Sequence, residues 1–271
     1  MSIMRIASAA ALIALLVTTP ARAAEPLQPT GKWNVDYGDA HCIASRTYGS
    51  AAVPILFALK PSPIGDVMQF SILVAGSKTE IDQYPGTISI DGSPPVKVSV
   101  LGSPAKDGKQ RMTSVNLPTS VFQTIRPAKV VRLRSSGEVD QSFVLSQMEP
   151  VGRALDRCIA DLRKVWHLAE AAAEIKQVAK PKTPLPSYFS ADDYPHTALR
   201  ALAGGTVEMM LLVDEAGKIK SCTVTATSGH ASLDAQTCSI MARRASFDPA
   251  LGMDGKPTKS GQTGRIRWVI P

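Results

Sequence analysis

The proline-rich segment 180–186 constrains the fold of this chain more than any other feature of its sequence. The segment is Lys-Pro-Lys-Thr-Pro-Leu-Pro, and a proline lacks the backbone N–H that helices and sheets use. A stretch of this composition favours an extended spacer. It separates an N-terminal region, residues 24–179, from a C-terminal region, residues 187–271, and each is long enough to bury a core of its own. The sequence therefore predicts two domains joined by a linker.

The N-terminal region alternates short apolar runs with clusters of Gly, Pro, Asp and Ser, which is typical of short β-strands. Helical spacing then appears near its end, where apolar residues recur at helical intervals between Val151 and Trp166. We predict a β-rich domain closed by an amphipathic helix. The predicted strands include residues 55–59, 68–74, 87–90, 96–100 and 130–133.

The C-terminal region has the pattern of a small α+β unit. Residues 206–213, 219–226 and 264–270 are predicted strands, and in the first of them Val207, Met209, Leu211 and Val213 lie on one face. A helix is predicted over residues 233–244, with the hydroxyl of Ser232 in position to cap it. The order strand, strand, helix, strand predicts a ββαβ unit in which a three-stranded antiparallel sheet packs on one helix. The whole chain is therefore assigned to the α+β class.

The last predicted strand has two chemically different faces, because successive side chains of a strand point in opposite directions. One set is apolar and is predicted to face the core, and the other set is predicted to face outward. The inward set is Ile266, Trp268 and Ile270, and the outward set is Arg265, Arg267 and Val269.

The first 23 residues have the composition of a secretory leader. The positive charge of Arg5 precedes an apolar run over residues 6–17, and small residues at 21 and 23 suit a signal peptidase. A helix of about 12 apolar residues spans about 18 Å, which is less than the roughly 30 Å of hydrocarbon in a bilayer. We predict a signal peptide over residues 1–23 that is cleaved after Ala23. The alternative is a retained membrane anchor.

Four cysteines form an even set, which is typical of disulfides in an exported chain. Cys42 and Cys158 lie in the first predicted domain, and Cys222 and Cys238 lie in the second. Among the three possible pairings, only this one keeps both bridges within a domain. The chain has no Cys-x-x-Cys spacing, and His41 beside Cys42 is a single neighbour, so we expect no metal site. A reactive thiol at Cys42 is the remaining alternative.

Charge and motifs exclude several classes of function. The formal net charge of +7 favours acidic surfaces. The basic residues are scattered without interleaved aromatic residues, so we expect no nucleic-acid binding. The chain has no Gly-x-Ser-x-Gly, His-Glu-x-x-His or phosphate-binding glycine-rich motif, so we expect neither catalysis nor a cofactor. The alternative is an enzyme site in the N-terminal domain. The four dispersed histidines are His41, His167, His196 and His230.

Several short motifs of the C-terminal region, taken together, resemble the C-terminal domain of the TonB family. They occur in the order and spacing of that family over about residues 188–271. The motifs are Tyr194-Pro195, Gly204-Gly205-Thr206-Val207, residues 213–219, Thr227-Ser228-Gly229, residues 243–250 and residues 254–257.

The resemblance implies a protein-binding module in the periplasm. Domains of this family contact outer-membrane transporters by pairing a sheet edge with an extended segment of the partner. For this chain, the resemblance implies that the last strand is the docking edge. The expected partner is an outer-membrane transporter or another envelope protein. The arginines of this strand have a second interpretation, as a charged edge that prevents aggregation. The partner-binding residues implied are Arg265, Ile266, Arg267, Trp268 and Val269.

The chain also departs from the energy transducers of the family. Those proteins keep an N-terminal membrane helix and have a long proline-rich spacer, whereas this leader resembles a cleavable one and the predicted spacer covers only residues 180–186. A soluble periplasmic binding module is therefore the favoured interpretation. The alternative is an energy transducer for TonB-dependent transport. Such a protein would keep its leader as an anchor in the inner membrane and face the periplasm.

Overall fold

The computed structural model describes residues 25–64, 67–105, 108–137 and 139–270. The predicted signal peptide, residues 1–23, lies outside these ranges. None of the helices in the described part of the chain has both the length and the hydropathy needed to cross a bilayer. The described chain is rich in strands and contains few helices.

A large antiparallel sheet makes up most of the N-terminal region. Its strands are β1 (Asn34–Gly38), β2 (His41–Gly49), β3 (Pro54–Pro61), β4 (Val67–Ala75), β5 (Asp82–Ile90), β6 (Val96–Pro104), β7 (Gln110–Pro118), β8 (Val130–Ser135) and β9 (Val139–Val144). Their order in the sheet is β1-β2-β3-β4-β7-β6-β5-β8-β9. Two helices accompany the sheet, α1 (Thr119–Ile125) and α2 (Met148–Val165).

The sheet is curled, and the extended segment before β1 joins its two ends. The N–H of Leu27 donates to Ser142 O at 2.8 Å, and the N–H of Val144 donates to Leu27 O at 3.0 Å, which ties the segment to β9. The N–H of Thr30 donates to Thr47 O at 2.9 Å, which ties it to β2. The apolar core of this region contains five fully buried aromatic side chains: Tyr48, Phe57, Phe70, Phe143 and Trp166.

Helix α2 lies against β1 and β2. A disulfide joins Cys42 of β2 to Cys158 of α2, with Cα atoms 6.0 Å apart. Just after the helix, the indole N–H of Trp166 donates to Asp39 O at 2.7 Å. The cysteine pairing is the one that the sequence predicts, and it ties the end of the N-terminal region to its beginning.

The remaining elements belong to the C-terminal region and the segment that leads into it. They are β10 (Ile175–Gln177), β11 (Lys180–Pro181), α3 (His196–Arg200), β12 (Gly205–Val213), β13 (Ile219–Ala226), α4 (Ala231–Arg244), β14 (Phe247–Asp248), β15 (Ala250–Gly252), β16 (Pro257–Thr258) and β17 (Ser260–Trp268). Short 3-10 helices span Ala169–Glu174, Leu185–Tyr188 and Ala191–Asp193.

A three-stranded antiparallel sheet in the order β13-β12-β17 forms the centre of the C-terminal region. Helix α4 packs on one face of this sheet. A second disulfide joins Cys222 of β13 to Cys238 of α4, with Cα atoms 5.4 Å apart. The residues of β12 that enter this second core alternate along the strand, as expected for one face: Val207, Met209, Leu211 and Val213.

The prediction that Ser232 caps the second long helix is wrong. Helix α4 begins at Ala231, its N-cap residue is His230, and the side chain of Ser232 is buried within the first turn. The loop before the helix is held instead by Asp234, whose carboxylate accepts hydrogen bonds from the Ser228 N–H at 2.9 Å and from the Thr227 hydroxyl at 2.5 Å. A carboxylate in the first turn of a helix also faces the positive end of the helix dipole.

The segment 180–186 is not the extended spacer that its prolines predict. Lys180 and Pro181 pair with β14, and the N–H of Lys182 donates to Ser246 O at 2.9 Å. The segment then enters the 3-10 helix that begins at Leu185. Proline is tolerated in a short edge strand and in the first turn of a helix, because neither position requires its missing N–H. The segment is therefore packed on the C-terminal region.

Candidate functional site

Strand β17 forms one edge of the C-terminal sheet and pairs only with β12 among the described strands. The pairing runs without a shift from Gly205 opposite Trp268 to Val213 opposite Ser260. Within the described residues, no backbone hydrogen bond joins residues 260–268 to any segment other than β12. The outer side of an edge strand presents unpaired N–H and C=O groups that another strand can use.

Two of the predicted partner-binding residues, Ile266 and Trp268, are buried in the domain's own core. The indole N–H of Trp268 donates to the hydroxyl oxygen of Thr237 at 2.8 Å. The rings of Phe189 and Tyr194 pack edge-on against the Trp268 ring, with centroids 5.5 and 5.2 Å away. These contacts fix the position of β17 from the core side of the sheet.

The other three predicted partner-binding residues, Arg265, Arg267 and Val269, are exposed. Ile270, which was predicted to face the core, is 41% exposed, because the pairing of β17 with β12 ends at Trp268. The exposed residues surround an open groove of about 630 Å³ at the end of the sheet. Its lining consists of Gly204, Gly205, Thr206, Arg265, Arg267, Trp268, Val269 and Ile270.

The guanidinium groups of Arg265 and Arg267 form no ion pair with any carboxylate in the described part of the chain. Glu208 lies opposite Arg265 in the register of β12 and β17, yet the two side chains do not pair. Two cations two residues apart therefore stand beside an open backbone edge, and alternation places them on the same face of the strand.

The N-terminal region covers the other end of the same face. Met210 and Leu212 of β12 belong to the same apolar core as the large N-terminal sheet. The side chain of Leu168 lies directly over Gly261, so closely that a Cβ at this glycine would overlap it. Next to it, Nδ1 of His167 donates to Lys259 O at 2.8 Å. The face of the sheet is thus closed at the beginning of β17 and open at its end.

A second contact between the two regions lies at the start of α4. The side chain of Gln83 in β5 donates to Gly229 O at 3.1 Å and accepts a hydrogen bond from the N–H of Ala231. Ala231 N–H is one of the orphan donors at the helix N-terminus, so Gln83 satisfies it from the other domain. A cleft of about 450 Å³, lined in part by Tyr84 and His230, lies beside this contact.

An ion pair holds the segment that covers Trp268. The two terminal guanidinium nitrogens of Arg244, at the end of α4, donate to Asp193 Oδ2 and Oδ1 at 2.6 and 2.7 Å. The backbone N–H of Ser190 donates to the same carboxylate at 2.8 Å. These hydrogen bonds, chiefly those from Arg244, lower the pKa of Asp193 to about 2.

We expect this carboxylate to make the protein less stable in acid. A free aspartate has a pKa of about 3.9, so the ionised Asp193 contributes its full stabilisation above about pH 4 and loses it as the pH falls to about 2. Asp193→Asn should therefore reduce the fall in melting temperature between pH 4 and pH 2. Asp192→Asn, at the exposed neighbouring position, is the control and should follow the original protein. Parallel curves for all three proteins would contradict the assignment.

The other candidate residues of the sequence are not brought together. Among the described residues, no three His, Cys, Asp or Glu side chains are grouped closely enough to hold a metal ion. His41 lies 3.1 Å from Asp36 Oδ2, and His167 contacts a backbone carbonyl. All four cysteines form disulfides, so the alternative of a reactive thiol at Cys42 is wrong in this structure.

Sequence reasoning missed the residues that limit the open edge. Thr206, which lines the groove, and Glu208, which lies opposite Arg265, had a usable signal, since they are the polar positions of an otherwise apolar strand. Leu168 and His167 had no such signal in the sequence. They follow α2 in the N-terminal region and come close to β17 only through the tertiary fold.

One comparison with known proteins identifies a family for this part of the chain. Residues 190–270 match the family model described as Gram-negative bacterial TonB protein C-terminal. No curated protein matches the chain. The matched family is one of protein interaction in TonB-type envelope transport, and it is not an enzyme family. The matched range contains β12, β13, α4 and β17, and therefore the whole of the open edge.

Proposed function

Since residues 190–270 match the C-terminal domain of the TonB family, we propose that this chain acts as a protein-binding module in the periplasm. It recognises an extended segment of an envelope partner, such as an outer-membrane transporter, by adding that segment as a strand beside β17. The single observation that carries this proposal is the unpaired outer edge of β17 next to the groove that Arg265, Arg267 and Val269 line.

Strand addition uses the backbone N–H and C=O groups on the outer side of β17, which the described residues leave unpaired. Main-chain hydrogen bonds along the edge supply affinity, and alternate side chains supply specificity. The edge is already ordered, because Trp268 and Ile266 hold it from the core and β12 pairs with it along its whole length. An ordered edge loses little conformational entropy on binding, which favours affinity.

The periplasmic location is part of the same proposal. The predicted leader directs export, and both cysteine pairs lie at disulfide distance in the structure. Disulfides persist in oxidising compartments and are rare in the cytosol. Two such bridges in one chain support a location outside the cytoplasm.

Peptides from the extended periplasmic segments of outer-membrane transporters test this function. We expect the addition of a binding peptide to the isotope-labelled full chain to shift the backbone amide signals of residues 263–269 and not those of β13, Ile219–Ala226. The reason is that the added strand forms hydrogen bonds with the outer side of β17 alone. The measurement is a two-dimensional NMR titration.

Two N-methylated forms of the same peptide provide the control. Successive amides of a strand point to opposite sides, so methylation of one alternate set blocks the hydrogen bonds to β17, and methylation of the other set alters only the solvent side. One form should lose binding and the other should keep it. Equal binding of both forms, or shifts that centre away from residues 263–269, would contradict strand addition at this edge.

A further inference from the structure

We infer that the segment recognised at β17 is short and acidic, with carboxylate side chains at two alternate positions that face Arg265 and Arg267. This inference rests on the proposed strand addition and specifies the chemistry of its partner. The two arginines lie two residues apart on one face of β17 and line the same groove. Neither guanidinium has a carboxylate partner among the described residues.

The geometry of a sheet places the partner's side chains beside these arginines. Directly opposed residues of neighbouring strands have Cβ atoms about 4.5–5.5 Å apart, and opposite charges at such positions attract. An added strand therefore presents every second side chain to the face that carries Arg265 and Arg267. Carboxylates at two of those positions complete two cross-strand ion pairs that the domain itself leaves open.

The N-terminal domain limits the length of the segment. Leu168 covers Gly261 on the same face, and the carbonyl of Lys259 is already bonded to His167. The side chains of an added strand would meet Leu168 on this face at the beginning of β17, so the open part of the face lies beside about residues 263–269. Beyond the arginines, the exposed side chains of Val269 and Ile270 give the groove an apolar end. A partner segment with an apolar residue next to its acidic positions fits this groove.

Charge also argues against a second copy of this chain as the occupant. Two β17 edges paired with each other would bring Arg265 and Arg267 of one copy close to the same residues of the other. Like charges on directly opposed strands are destabilising. The same pair of arginines that attracts an acidic segment therefore disfavours self-association, which unites the docking and the anti-aggregation interpretations of the charged edge.

Two matched peptides test the inference with the full chain. One alternates threonine and glutamate over seven residues, and the other has glutamine in place of each glutamate. We expect the glutamate peptide to bind about tenfold more tightly in low salt, as two exposed cross-strand ion pairs imply. The difference should shrink as salt screens the charges. Both dissociation constants are measured by NMR titration.

Substitution of the arginines identifies the groups responsible. Arg265→Gln with Arg267→Gln should remove the preference for glutamate, while Arg243→Gln should keep it. Arg243 is a matched control because it is also exposed but lies on α4, where among the described residues it donates only to Ser239 O, at 3.2 Å. Both arginines of β17 are exposed, so all three proteins should melt at similar temperatures, which is checked by circular dichroism.

The possible outcomes separate this inference from the proposed function. Equal affinity for the two peptides, with shifts in residues 263–269, overturns the acidic preference and leaves strand addition standing. No binding of either peptide overturns both. Binding to phosphatidylglycerol vesicles that the double substitution abolishes, without any preference between the peptides, assigns the arginines to a lipid surface and overturns the inference.

Discussion

Replacing both Cys42 and Cys158 with alanine is expected to lower the free energy of unfolding by about 5 kcal/mol, because this bridge closes a long loop of the unfolded chain. The two cysteines are 116 positions apart in the sequence. In the chain-entropy account, a bridge restricts the unfolded ensemble, and the restriction grows with the logarithm of the loop length. The bridge also ties α2 to β2, so the loss should act on the whole N-terminal domain. Urea unfolding followed by tryptophan fluorescence measures the change.

The second disulfide is the matched control for this prediction. Cys222 and Cys238 are only 16 positions apart, so their replacement with alanine should cost about 3 kcal/mol. Both bridges join a strand to a helix, which makes loop length the main difference between them. A larger loss from the short loop than from the long one would show that native-state packing, and not loop entropy, sets the contribution of each bridge.

Gly217→Ala is expected to cost about 3 kcal/mol or more, because the position requires both a left-handed backbone and close contact with another strand. Gly217 has a φ of 74° in the turn between β12 and β13. This left-handed backbone conformation costs an alanine about 1–2 kcal/mol of folding free energy. A Cβ at this position would overlap the carbonyl oxygen of Phe247. The N–H of Phe247 donates to Gly217 O at 3.0 Å, so neither segment can move away without loss of that bond. Urea unfolding gives the change in free energy.

Gly255→Ala separates the two costs. Gly255 has a similar φ of 78°, but nothing lies within 4 Å of the position that its Cβ would take. Its replacement should therefore cost only the conformational part, about 1–2 kcal/mol. Equal losses at the two glycines would mean that the segment around Phe247 relaxes freely, and the close contact would then contribute nothing to stability.

The predicted effect at Gly217 also bears on the docking edge. The turn that contains Gly217 joins β12 to β13, and β12 in turn pairs with the whole of β17. A disturbance of this turn should reach the beginning of β17 before its end, because Val213 at the end of β12 pairs with Ser260. Residues 263–269 pair further along β12, so peptide binding should survive in any fraction of Gly217→Ala that remains folded.

Much of the C-terminal domain could be predicted from the sequence, because its elements carry strong local patterns. The placement of Val207, Met209, Leu211 and Val213 on one face predicted a strand, and β12 covers Gly205–Val213. The strand predicted over residues 264–270 is present but shifted, since β17 covers Ser260–Trp268. Its first residues, Ser260 and Gly261, are polar or small, and they became strand through pairing with β12 rather than through their own propensity.

The N-terminal sheet was predicted less completely for a related reason. Strand β2 alternates buried and half-buried positions along its whole length, but its buried positions include Arg46. The guanidinium of Arg46 donates to Gly31 O at 2.7 Å and to the Ser146 hydroxyl at 2.8 Å. A charged residue facing inward interrupts the apolar alternation from which a strand is recognised. Its burial is possible only because distant backbone and hydroxyl groups satisfy it.

The sequence by itself determined the strand pattern of the C-terminal domain, the grouping of the cysteines into two pairs and the alternation that puts Arg265 and Arg267 outward. The strand pattern and the alternation depend on the spacing of neighbouring residues. The grouping of the cysteines depends on their number and positions in the sequence. The tertiary structure alone decided that Leu168 covers Gly261, that Gln83 caps α4 and that the edge of β17 stays open after Thr263. These contacts join residues far apart in the chain, and a local pattern contains no information about which distant surfaces meet.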